Sequence, residues 1–191
     1  LVLIALGIAS LYLINLFFMK PFSIDHYLGK ELVFDLTGSP EELTYFGVLD
    51  SFNWLTRHNS KLSIPQDDDI ENEIKHLEKV NKTLYKYDDS RLSDIQKNTK
   101  KIAIFDYENQ LKELQYFPYL DYPLNQIGGI HLNLIEFMNS VHPIRSKSEA
   151  NDFIKRTDLV KEVYQGTLNH LKDQAENGIY PPEFVYGHVI N

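Results

Sequence analysis

The sequence contains no cysteine, which rules out disulfides, thiolate metal sites, a cysteine nucleophile and a lipid-modified lipobox thiol. It also lacks a basic excess. Lys and Arg number 19 against 27 Asp and Glu, giving a net charge of −8 and a pI near 5.3. The basic residues are scattered apart from the pair Lys100-Lys101. Nucleic-acid binding by counterion release needs clustered cations, so this composition argues against it. Strand-like alternation of useful length is missing too; the nearest stretch, residues 101–106, fits a helix better. Seven histidines are present, but no two lie three or four residues apart and no His-Glu-x-x-His occurs. No Ser-His-Asp or paired-carboxylate arrangement stands out from spacing.

What is present begins with an apolar run. Residues 1–19 carry no charge and as a helix would span about 28 Å at roughly 1.5 Å per residue, close to the hydrocarbon thickness of a bilayer. The small residues Ala5, Gly7 and Ala9 sit early and Phe17-Phe18 occupy the end, which fits an uncleaved anchor better than a cleavable signal peptide. Membrane orientation is not legible, because the N-terminal flanking charges are missing. The chain starts without Met and stops after a new helix start, so the expectation is a fragment of a longer frame.

Residues 20–65 read as a membrane-proximal helical lead-in. An amphipathic piece over residues 22–36 is closed by Gly38. Ser39-Pro40-Glu41-Glu42 then combines an N-cap, a first-turn proline and a capping-box glutamate, and predicts a helix to about Arg57. Residues 58–65 form a loop. Asp67-Asp68-Asp69 complements the macrodipole of the next helix rather than forming a cation site, since adjacent residues cannot all face one ion.

Behind it, Ile70, Ile74, Leu77, Val80 and Leu84 keep a helical period to Tyr87. A second long helix is expected over residues 90–116, burying Leu92, Ile95, Ile102, Phe105, Leu111 and Leu114. The short connection predicts an antiparallel hairpin. Asn81-Lys82-Thr83 is formally a glycosylation sequon, but it falls inside a helix.

Residues 116–123 place four aromatics (Tyr116, Phe117, Tyr119 and Tyr122) around two prolines, a packed rim or a stacking platform. The next stretch joins Asn125-Gln126, Gly128-Gly129 and His131, and leads into a helix to Ser140 that His142-Pro143 ends. Asn125, Gln126 and His131 are the candidate residues lining a substrate cleft. The amides both donate and accept, so they could orient a peptide or satisfy the backbone of the turn. His131 and Glu136 are five apart and do not suit one metal. Ser146-Lys147-Ser148-Glu149 caps a helix to about Arg156, and Asp158 starts another, with Val160, Tyr164, Thr167, Leu168, Leu171 and Ala175 on one face. Gly178 takes its C′ position, and Pro181-Pro182 opens the next helix. The fold class is all-α: an N-terminal transmembrane helix followed by an antiparallel helical array, organised as 1–19, 20–65 and 66–191.

Three segments occur in a familiar order. They are Leu124-Asn125-Gln126-Ile127-Gly128-Gly129-Ile130-His131, then Val141-His142-Pro143-Ile144-Arg145, then Gly178-Ile179-Tyr180-Pro181-Pro182-Glu183. This pattern resembles the N-terminal half of the bacterial "domain of unknown function 885" family, over about residues 88–191. The lead-in resembles that of its membrane-anchored members. The resemblance implies a large helical protein similar to zinc metallopeptidases, whose His-Glu zinc motif and further glutamate ligand lie in the C-terminal half. This sequence contains neither, so no catalytic or zinc residue carries over and zinc is expected only in the full-length protein. By resemblance, Asn125 to His131 would line the cleft from the N-terminal side. The implied partners are the membrane, the C-terminal half of the same protein and a peptide, with the soluble part extracytoplasmic. The competing expectation is a membrane-tethered helical binding or scaffold module without catalysis.

Overall fold

The computed structural model describes residues 2–119, 122–125 and 127–190. Among the described residues every regular element is helical and no strand occurs, as expected for an all-α chain. The helices are α1 (Val2–Phe18), α2 (Ile24–Thr37), α3 (Pro40–Phe46), α4 (Asn53–Thr56), α5 (Asp69–Leu84), α6 (Asp94–Tyr116), α7 (Ile130–Glu136), α8 (Lys147–Glu176) and α9 (Glu183–Ile190). The chain divides into two compact units, Leu1–Asp35 with Glu71–Tyr116, and Leu36–Ile70 with Phe117–Asn191.

The first unit is centred on Ile24, Tyr27, Val80, Leu84 and Tyr87, against which Leu28, Leu92, Ala103, Ile104 and Tyr107 pack. Helices α5 and α6 share this core through a short 3-10 turn, Asp89–Arg91, capped by the Asp88 carboxylate. The buried stripe of α6 differs from the expected one. Ile95, Ile102 and Phe105 are exposed, whereas Lys100 is buried and Ala103, Ile104 and Tyr107 face the core. The physical reason is the Lys100 ammonium, which donates to the Tyr87 carbonyl and to Asp89 Oδ1, each at 2.7 Å. That pair fixes the rotation of α6 and turns the neighbouring apolar stripe outward. In the same unit the Asn15 side chain closes the end of α1. Its Oδ1 accepts from Phe22 N and its Nδ2 donates to the Lys20 carbonyl, both at 2.9 Å.

Helix α1 is apolar on every side and exposed on nearly every side, from Ile4 through Phe18. Among the described residues no helix is long and apolar enough to cross a membrane; α1 as described has 17 residues.

In the second unit Ser39 caps α3 by accepting from Glu42 N at 3.0 Å. The helix does not continue to Arg57, because Gly47 takes a left-handed conformation (φ 62°) and ends it. Two short turns replace the expected helix. Leu62, Leu134, Met138 and Val163 form the core of this unit. Helix α7 runs into a π turn, Phe137–Val141, in which His142 N donates to the Phe137 carbonyl at 3.0 Å. His142 itself leaves the helix ahead of Pro143, as its sequence position requires.

Ser146 caps α8 as expected, but Asp158 starts nothing: α8 is one unbroken helix of 30 residues. Its buried positions are Asp152, Arg156, Val163, Thr167 and Gln174, a helical period occupied largely by polar residues. Tyr164 and Leu168, expected on the buried face, are exposed. Gly178 (φ 74°) and Ile179 close the helix by donating to the Ala175 and Gln174 carbonyls.

Candidate functional site

A groove of the second unit lies between residues 65–70 and the C-terminal half of α8. Its volume is about 560 Å³, within the range of small-ligand sites, and Pro123 contributes to its wall. The close approach of the two walls is set by Gly166, where a Cβ would sit 2.5 Å from the Pro65 carbonyl oxygen. The lining holds Asp67, Asp69, Asp173 and Glu176 beside Lys172 and His170, so acids outnumber bases. The Tyr119 hydroxyl donates to Asp173 Oδ2 at 2.6 Å, and Asn177 Nδ2 donates to the Tyr119 oxygen at 3.1 Å. The hydrogen bond to Asp173 pushes the Tyr119 phenol up from its ordinary value. The Tyr119 ring leans on His170 at 6.1 Å. A groove of this kind can take an extended segment bearing an ammonium or guanidinium group. Among the described residues its lining holds no nucleophile with an adjacent base.

Residues 122–131, which follow one wall of the groove, are organised by Asn125. Its Oδ1 accepts from Ile127 N at 2.9 Å and from Gly128 N at 2.8 Å. The chain then closes through Ile130 N donating to the Pro123 carbonyl. Gly129 is required sterically, since a Cβ would lie 2.8 Å from the Pro123 oxygen and 2.9 Å from Asn125 N. His131 follows in the first turn of α7, half-buried, and its Nδ1 has no hydrogen-bond partner among the described residues. Gln126 lies outside the described residues. The structure thus brings Asn125 and His131 to one turn, with the Asn125 side chain spent on that turn's backbone. Of the four aromatics ahead of it, Tyr116 and Phe117 are exposed, whereas the Tyr119 and Tyr122 hydroxyls bond to Asp173 and to the Tyr180 carbonyl.

A second polar centre had no apolar signature in the sequence. Arg156 is completely buried. Its guanidinium donates to the carbonyls of Lys61 (2.8 Å), His58 (2.9 Å) and Pro40 (3.3 Å), to Thr44 Oγ1 (2.6 Å) and to His142 Nδ1 (2.7 Å). The Phe137 ring covers it at 4.8 Å. Burial brings its pKa down to about 10, so it remains charged at neutral pH. His142 is buried as well, with Nε2 directed at the Glu149 carbonyl (3.2 Å). Because Nδ1 accepts from Arg156, the ring is the neutral Nε2–H tautomer, and burial holds its pKa below the ordinary value. The available sequence signal was the spacing itself: Asp152, Arg156, Val163, Thr167 and Gln174 repeat at helical intervals.

Among the described residues no group of three or more His, Asp or Glu could hold a metal ion.

Residues 40–191 match the family described as bacterial protein of unknown function (DUF885). The match covers well over half of the chain, and the chain belongs to that family. No curated protein and no solved structure matches this chain.

Proposed function

We propose that this chain is the N-terminal, non-catalytic portion of a membrane-anchored, metallopeptidase-like hydrolase, and that the groove beside α8 is one wall of its peptide-binding cleft. The observation that carries the reading is that groove: about 560 Å³, walled by α8, residues 65–70 and Pro123, and rich in carboxylates. An acidic wall favours a peptide amino terminus or a Lys or Arg side chain through charge-assisted hydrogen bonds. In this reading Asn125, Gln126 and His131 shape the cleft from one end, Asn125 by holding the turn and His131 by packing against Gly129 at the start of α7. Zinc and the groups that activate water belong to the C-terminal half of the full-length protein.

Helix α1 supports the anchoring. A helix that is largely apolar and exposed at Ile4, Leu6, Ile8, Leu11, Leu13 and Phe17 is suited to a lipid environment rather than to water. The soluble part would then stand outside the cytoplasm, in the periplasm or at the cell surface. The alternative is a membrane-tethered binding or scaffold module, and the exposed Ile95, Ile102 and Phe105 of α6 favour it.

The reading frame itself separates the two. A frame running past codon 191 into a helix with a His-Glu motif and a later glutamate is the outcome the hydrolase reading expects. A frame without those elements favours the binding module.

A further inference from the structure

A different groove of the second unit lies between α4 and the first turns of α8, with a volume of about 570 Å³. Asn53, Trp54, Arg57 and Ser60 line one side, and Ser148, Asp152 and Lys155 the other. Trp54 is the only tryptophan in the sequence and is 74 % exposed. The Arg57 side chain makes no hydrogen bond or ion pair among the described residues, although its backbone is locked in the left-handed region (φ 53°) as the C-cap of α4. Among the described residues Asp152 is the only acid in the lining, and both its oxygens are engaged. Oδ2 accepts from Asn53 Nδ2 and Oδ1 from Lys155 Nζ, each at 3.1 Å.

The groups left available are therefore donors: the Arg57 fork, the Trp54 indole N–H, the Ser148 hydroxyl and the remaining Lys155 protons. Arg57 and Lys155 against one Asp152 make the lining positive by one charge, in a chain whose net charge is −8. Donors on opposing walls suit an oxyanion with acceptors on several sides better than a planar carboxylate, which one guanidinium alone can satisfy. The indole face gives the ligand's neighbouring apolar or planar part a surface to lie on.

We infer that this groove is a binding site for a phosphate ester, with Arg57 as its principal anion contact and Trp54 as its stacking face. A soluble phosphomonoester and a phospholipid headgroup carry the same chemistry, and exposed Phe52 and Leu55 flank the groove in sequence.

The lone tryptophan makes the test direct. The intrinsic fluorescence of the full chain, excited at the red edge of the indole band, is followed on titration with phenyl phosphate, glycerophosphoglycerol, inorganic phosphate and benzoate. The expected result is a saturable change with at least one phosphate ester, weaker binding of inorganic phosphate and no comparable response to benzoate. Arg57→Gly, which keeps the left-handed backbone unstrained, should lower the affinity by about tenfold or more. Ser148→Ala, at an exposed position, serves as a second variant with a smaller loss. Binding of the diester assigns the site to a lipid headgroup, and binding of the monoester alone assigns it to a soluble ligand. No saturable change with any ester, equal binding of benzoate, or full affinity in Arg57→Gly overturns the proposal.

Discussion

Arg156 takes a full positive charge into the interior without an ion pair among the described residues, and it is stabilised by oxygen and nitrogen acceptors from three separate segments. Removing one partner of such a buried set leaves the others desolvated and unpaired, which costs far more than the bonds contribute net. Arg156→Met is expected to destabilise the second unit by about 3–5 kcal/mol, measured as a shift of the urea unfolding midpoint. Arg156→Lys should recover little, because a point ammonium cannot reach acceptors spread around a planar fork. His142 gives the pH dependence. Its folded pKa is depressed, so the unfolded chain binds the proton more readily. The contribution is fully present above the unfolded value of about 6.5 and is lost as pH falls through the lower folded value. In the protonated ring Nδ1 would be a donor facing Arg156. His142→Gln, whose amide oxygen can still accept, should flatten the stability profile below about pH 6.5.

Helix α8 shows at the scale of an element what local sequence could and could not carry. Its caps were readable, because Ser146, Glu149 and Gly178 act through backbone groups within a few residues. Its length and buried face were not. Asp158 resembles an N-cap, yet the helix runs through it, and the core phase is held by Asp152, Arg156, Thr167 and Gln174, which a search for apolar periodicity passes over. Helix α6 repeats the lesson with one lysine: Lys100 turns inward to cap a distant carbonyl, and Ile95, Ile102 and Phe105 turn outward. The turn at residues 122–131 was legible as a turn because Asn125 and Gly129 act locally. The groove beside α8 was not, since its walls are about a hundred residues apart in sequence. Gly166 sets that approach. Alanine in a helix interior gains about 1 kcal/mol over glycine, but a Cβ here would sit 2.5 Å from the backbone oxygen of Pro65. The clash should win. Gly166→Ala is expected to lower the melting temperature by several degrees, and an increase would show that residues 65–70 yield easily.

For the whole molecule, two compact units are linked by a chain that passes between them three times. All-helical character followed from composition and period, whereas the division into units depends on contacts far apart in sequence. Anchoring by α1 is tested by sedimentation with phosphatidylcholine vesicles. The full chain should pellet with them, and a chain lacking residues 1–19 should stay in the supernatant. The central claim concerns the groove, and its most direct measurement is site-specific crosslinking. A photoreactive residue is placed at Asn169, an exposed member of the groove lining, and the chain is irradiated with a mixed peptide pool in the presence of zinc. The account predicts crosslinks that saturate, that unlabelled cationic peptides compete away, and that involve intact peptides only. Crosslinking that no peptide competes for, or zinc-dependent cleavage of the pool by this chain alone, would contradict it.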